Sequence, residues 1–118
     1  MAWRPSTASR AVKIEIYPQA ETDIIRQFRY YLVDQDAPLT AFRYREAVLE
    51  SIDQLKPHPH MGALFSGSIS GLRSWPVKGF EAFRICYVES PGVLRVVRVL
   101  HGKRNIRRIL RNSEPRRQ

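Results

Sequence analysis

The sequence predicts an α+β fold in two layers, a helical hairpin packed on a mostly antiparallel sheet in the order β-α-α-β-β-β. Three observations predict it. Residues 12–17 alternate Val12, Ile14, Ile16 against Lys13, Glu15, Tyr17, the period of a half-buried strand. Residues 19–55 carry two stretches whose apolar side chains recur every three or four positions. Residues 72–100 hold three runs rich in β-branched and aromatic residues, parted by Lys78-Gly-Phe80 and Ser90-Pro-Gly92.

Taken in order, Pro18 ends the first strand, and Ala20, Ile24, Ile25, Phe28, Tyr31 and Leu32 form the inner stripe of a helix reaching about Val33. Glu21, Asp23, Arg26, Gln27 and Arg29 are expected mostly on its other side. Asp34-Gln-Asp-Ala-Pro38 breaks that helix; Asp36 is suited to cap a second helix and Pro38 to fill its first turn. Ala41, Tyr44, Val48, Ile52 and Leu55 then face inward, and Lys56-Pro-His-Pro-His60 stops the helix because prolines cannot continue it. Met61 to Gly71 reads as a loop. The strand at 72–77 contains Pro76, which cannot donate to a ladder and so argues for an edge. The runs 82–89 and 93–100 are apolar on both faces, as interior strands are. A helical turn is expected from Asn105 to Arg111.

At 118 residues the chain is one domain, able to bury roughly two thirds of the surface its unfolded form exposes. Residues 1–11 are expected to be a flexible lead-in, 12–111 the folded domain and 112–118 a basic tail. The lead-in has no apolar run, so it is neither a signal peptide nor a membrane span. The single cysteine, Cys86, has no partner for an internal bridge, which fits a reducing, cytoplasmic location. Within an apolar strand it reads as a small buried hydrophobe. His58 and His60 share a His-x-His spacing but lack further ligands nearby, so no metal and no cofactor is expected.

The net charge of +9 is unevenly placed. Residues 1–93 hold eleven Lys/Arg against ten Asp/Glu, whereas residues 94–118 hold nine against Glu114 alone. Such a concentration repels itself and offers a docking site to a polyanion or an acidic protein. Arg98, Lys103, Arg104, Arg107 and Arg108 are the candidate target-binding cations, with His101 beside them.

Two segments, Gly71-Leu-Arg-Ser-Trp-Pro-Val77 with Phe83-Arg-Ile-Cys-Tyr87, and Val97-Arg-Val-Leu-His-Gly-Lys-Arg-Asn-Ile106, carry a family resemblance. Together and in order they resemble the RelE/ParE toxin superfamily of bacterial type II toxin–antitoxin systems, and the ending is similar to the ParE branch's R-x-L-H-x-x-R-D-I. The resemblance covers about Val12 to Leu110. It implies a small toxin neutralised by an acidic, ParD-like antitoxin that wraps around it, with Ile24, Phe28, Leu32, Arg73 and Arg84 as candidate contacts in a hetero-oligomer. The ParE branch inhibits DNA gyrase; the RelE branch cleaves mRNA on the ribosome.

Chemistry weighs one branch against the other. RNA cleavage needs a base for the 2′-hydroxyl, cations for the phosphorane and an acid for the leaving oxygen. In RelE-like enzymes lysines of the first meander strand, arginines of the next strand and beyond the last, and a closing tyrosine do this work. Arg84 and Arg104 match the arginines. Ser74 and Pro76 stand where lysines are expected, Arg73 is displaced by one position, and Leu110 replaces the tyrosine. Arginine is too basic to serve as a base and leucine transfers no proton. Histidine is the residue type ordinarily suited to acid–base work, which leaves His101 as the remaining candidate, although its place in the ParE-like ending favours a structural role. The expected function is therefore gyrase inhibition, with RelE-like mRNA cleavage through Arg84, Arg104 and His101 as the alternative, and a plain basic nucleic-acid-binding module as the third.

Overall fold

The computed structural model describes residues 12–65, 69–102 and 105–108; the expected lead-in and tail lie outside them. Strand β1 (Lys13–Ile16) gives way to helix α1 (Pro18–Arg29). Pro18 takes the first turn, where a missing N–H is no loss. The helix loosens into a π-helical segment, Tyr30–Asp34. Helix α2 (Pro38–Gln54) folds back, with Phe42 meeting Phe28 edge-on at 5.1 Å between ring centres.

Asp36 does not cap α2. It takes the left-handed conformation, with φ of 50°, and turns the chain. Ala37 is the capping residue and forms no side-chain bond. Aspartate tolerates that conformation better than most residues, so the turn rather than the cap fixes its role.

Five strands make one sheet in the order β1-β5-β4-β3-β2. They are β1, β2 (Ala63–Leu64), β3 (Arg73–Val77), β4 (Phe80–Ser90) and β5 (Val93–His101). β1 runs parallel to β5 and the other pairs are antiparallel. The expectation of a strandless loop at 61–71 is corrected by β2, too short for any periodicity to reveal. β2 covers only Arg73 and Ser74, so β3 is an edge where Pro76 lies. β4 and β5 are interior and meet through Pro91-Gly92, where Gly92 has a φ of 78° that favours glycine.

The main core lies between the helices and the sheet. Tyr44, Val48, Ile52 and Leu55 of the second helical region pack with Ile85, Tyr87, Leu94, Val96 and Val99. Burying such side chains contributes about 1.5–3 kcal/mol each. Ile25 was expected inward but is 54% exposed. Asp23, expected outward, is buried instead. Tyr44 is surrounded by the rings of Tyr31, Phe80 and Phe83. Its buried hydroxyl has no hydrogen-bond partner among the described residues, and burial pushes its pKa upward. Because an unsatisfied buried hydroxyl is a penalty, Tyr44→Phe is expected to raise stability by about 1 kcal/mol. Urea unfolding checks this; a comparable loss would reveal a partner for the hydroxyl.

Candidate functional site

Alternation along β4 separates two faces. Ile85 and Tyr87 enter the helix-side core, while Cys86 joins Leu72, Leu100 and Ile106 in a second, smaller cluster. Residues 105–108 are helical, and fully buried Ile106 anchors that turn to the second cluster. The turn thereby presents Arg107 and Arg108 to solvent. Arg107 lies over the Phe65 ring at 5.9 Å, a cation–π contact, and Arg108 donates to Asn105 Oδ1 at 2.9 Å.

Arg84 is half-buried and donates through Nε to Ser74 Oγ at 3.1 Å, across the β3–β4 pairing. His101, at the end of β5, is exposed and packs edge-on against Phe83 at 4.8 Å. Arg84, His101, Arg107 and Arg108 are thus set around the far end of the β4–β5 pair. Lys103 and Arg104 belong to the same stretch of sequence and lie outside the described residues, as does Leu110.

Arg98 departs from the expectation of a displayed cation. Its Nε and a terminal nitrogen donate to the two carboxylate oxygens of Asp23 at 2.8 and 2.9 Å. Only 14% of its side chain is exposed, and the bond to Asp23 raises its pKa. The register explains the arrangement. β1 pairs with β5 only as far as Ile16 opposite Val96, leaving the next part of the β5 edge without a strand neighbour on that side. α1 passes there, and Asp23 also accepts the Val99 N–H at 3.0 Å. One buried carboxylate stands in for a missing strand. Sequence reasoning missed it, although Asp23 falls three residues after Ala20 and four before Gln27, on the inner stripe.

Arg73 is likewise engaged. It donates to the carbonyls of His60 and Gly62 at 3.2 and 2.8 Å. Tyr87 Oη donates to Pro59 O at 2.7 Å and accepts the Gly62 N–H at 2.9 Å. A Cβ on Gly62 would stand 2.5 Å from that hydroxyl, so only glycine fits. The histidine loop is therefore pinned to the sheet, and His60 Nε2 lies 3.2 Å from Glu89 Oε1. Tyr87 is buried in the main core, and partly buried Trp75 packs against it.

Of the helix candidates, Ile24 packs on the main core and Phe28 on Phe42, while Leu32 is half-buried. Their outward neighbours are the accessible ones. Ile25, Tyr30 and Val33 line a groove with Thr22, Arg26, Arg29 and Asp34.

Cys86 is fully buried. Burial pushes its thiol from an ordinary value of 9.0 up to about 12, although the nearby Arg84 and Arg98 pull it down. A raised value means that the folded state holds its proton longer than the unfolded chain. The corresponding stability is fully present below pH 9.0 and is lost as pH rises towards about 12. Iodoacetamide at pH 8 is expected to spare the folded protein and label the unfolded one, read by mass spectrometry; rapid labelling of the native state would contradict this burial.

As chemistry, the far end of the β4–β5 pair offers fixed cations and one exposed imidazole. That suits recognition of anionic surface. Among the described residues no three His, Cys, Asp or Glu side chains gather as metal ligands, and no helix is long and apolar enough to cross a membrane.

No curated protein matches the sequence significantly. Among solved structures, the fold matches a chain of the chromosomal ParDE TA system from P. aeruginosa with a TM-score of 0.66. The alignment covers 78% of this chain and 97% of that one at 15% identity. The profile of the ParE toxin of the type II toxin-antitoxin system, parDE, matches residues 14–106, from β1 to the buried Ile106. The chain therefore belongs to the ParE toxin family of type II toxin–antitoxin systems.

Proposed function

We propose that this toxin arrests growth by engaging DNA gyrase through the cations at the far end of the β4–β5 pair, and that an acidic ParD-like antitoxin neutralises it. Arg84, His101, Arg107 and Arg108 supply the described part of the target surface, with Lys103 and Arg104 from the intervening stretch. Arg98 is a structural support of that surface through Asp23 and not a contact.

The observation that carries the reading is the Arg84–Ser74 bond at 3.1 Å. Ser74 stands where a RelE-like nuclease has a lysine, and its hydroxyl orients the arginine. The residues brought together bind and orient an anion, and the arginines among them are too basic to act as general bases. The antitoxin fits the groove along α1, where Ile25, Tyr30 and Val33 offer apolar surface beside Arg26 and Arg29. Arg84 is a second candidate contact, and Arg73 acts through the loop it holds.

Expression alone and together with the adjacent reading frame tests the proposal. Alone, the protein is expected to halt growth and induce the DNA-damage response, and co-expression is expected to restore growth. Arrest accompanied by codon-positioned mRNA cleavage would overturn the gyrase reading in favour of the nuclease. Harmless expression with no captured acidic partner would remove both parts.

A further inference from the structure

The outward side of α2 carries three exposed apolar side chains, of which Phe42 has Phe28 against one edge of its ring and still leaves half of itself to solvent. Leu39, Phe42 and Leu49 are 63%, 53% and 42% exposed. Their spacing puts Leu39 opposite the buried Tyr44 and Val48, with Phe42 and Leu49 on the neighbouring flank of the helix. The charges beside the stripe are ordered along the axis: Arg43 and Arg45 in the first half, then Glu46, Glu50 and Asp53. That order opposes the helix macrodipole, which favours acids at the N-terminus and bases at the C-terminus. The first turn has no acid and the last turn no base. Within this set only Asp53 has an ion-pair partner among the described residues, Lys56 at 3.1 Å.

We infer that this face pairs two copies of the chain, their α2 helices antiparallel about a two-fold axis near Glu46. The antiparallel arrangement sets the two macrodipoles in opposition. It places Phe42 of one copy against Leu49 of the other, and Arg43 against Glu50, each contact being made twice by symmetry. Glu46 meets its own copy near the axis, a like-charge contact that opposes the association, with Arg43 one turn away to moderate it. An acidic partner finds its complement on α1, at Arg26 and Arg29, and is repelled by the acids of α2. The charge order therefore selects a second copy for this face. A single 17-residue helix presents less surface than a standard interface of roughly 1,200–2,000 Å², so the dimer is weak, on the order of micromolar.

Sedimentation velocity on the purified full chain over a range of concentrations tests the pairing. A monomer–dimer equilibrium is expected. Arg43→Glu and Glu50→Arg are each expected to weaken it about tenfold, because each removes two symmetric ion pairs at once. The double exchange R43E/E50R is expected to restore association to within about threefold, since the pairs re-form with opposite sign. Glu46→Gln is expected to tighten the dimer by a few-fold through loss of the axial repulsion. These positions are exposed, and circular dichroism is expected to show each variant folded. A protein that stays monomeric throughout, a dimer indifferent to the single exchanges, or a double variant that compounds their losses would each overturn the inference.

Discussion

Asp23→Ala is expected to cost about 3–5 kcal/mol of stability, the size of effect seen when one partner of a buried ion pair is removed. Three hydrogen bonds end on this carboxylate, two from Arg98 and one from the Val99 N–H. Without it a guanidinium that is only 14% exposed loses its counter-charge, and a strand edge loses its acceptor. The same strand contains a control. Arg95 Nε meets Glu15 Oε1 at 3.1 Å, but those side chains are 32% and 40% exposed. Removal of that pair by Glu15→Ala is expected to cost about 1 kcal/mol or less, because water screens it. Urea unfolding of both variants measures the difference. Equal costs would mean that α1 does not stand in for a strand at the β5 edge.

The second large effect concerns function. Arg104→Ala combined with Arg107→Ala is expected to abolish growth arrest while leaving the unfolding free energy within about 0.5 kcal/mol, the usual range for exposed surface substitutions. Arg107 is exposed on the turn that Ile106 anchors, and its 5.9 Å cation–π contact with Phe65 is at a solvated site where it adds little to stability. Salt then separates two kinds of target. Contact with duplex DNA gives a log–log slope of about −0.9 per neutralised phosphate, whereas a purely protein interface lacks the condensed counterions and responds more mildly. A double variant that is folded and still fully toxic would take these arginines out of the mechanism.

The sequence was legible wherever a repeating pattern had room to show itself. The inner stripe of α2, from Ala41 to Leu55, is buried at every named position, and the alternation of β1 and the apolar runs of β4 and β5 match their strands. β2 escaped because two residues carry no period. Ile25 was misplaced because it adjoins the inner stripe of α1 and its apolar character outweighed its angle around the helix. Asp23 was misread for the opposite reason: its charge suggested solvent, while its spacing placed it against β5. Arg98 followed from that error, since a cation counted in a basic cluster gives no sign in sequence of a buried partner 75 positions earlier. The basic end of the chain was legible as a concentration of charge, and the division between displayed Arg107 and engaged Arg98 depends on tertiary contacts that composition does not encode.

The most direct measurement is the supercoiling activity of purified DNA gyrase in the presence of the purified toxin. The account predicts inhibition that rises with toxin concentration, is absent with the Arg104→Ala and Arg107→Ala double variant, and is reversed by the cognate antitoxin. Full supercoiling activity in the presence of folded toxin that still arrests growth in cells would contradict it.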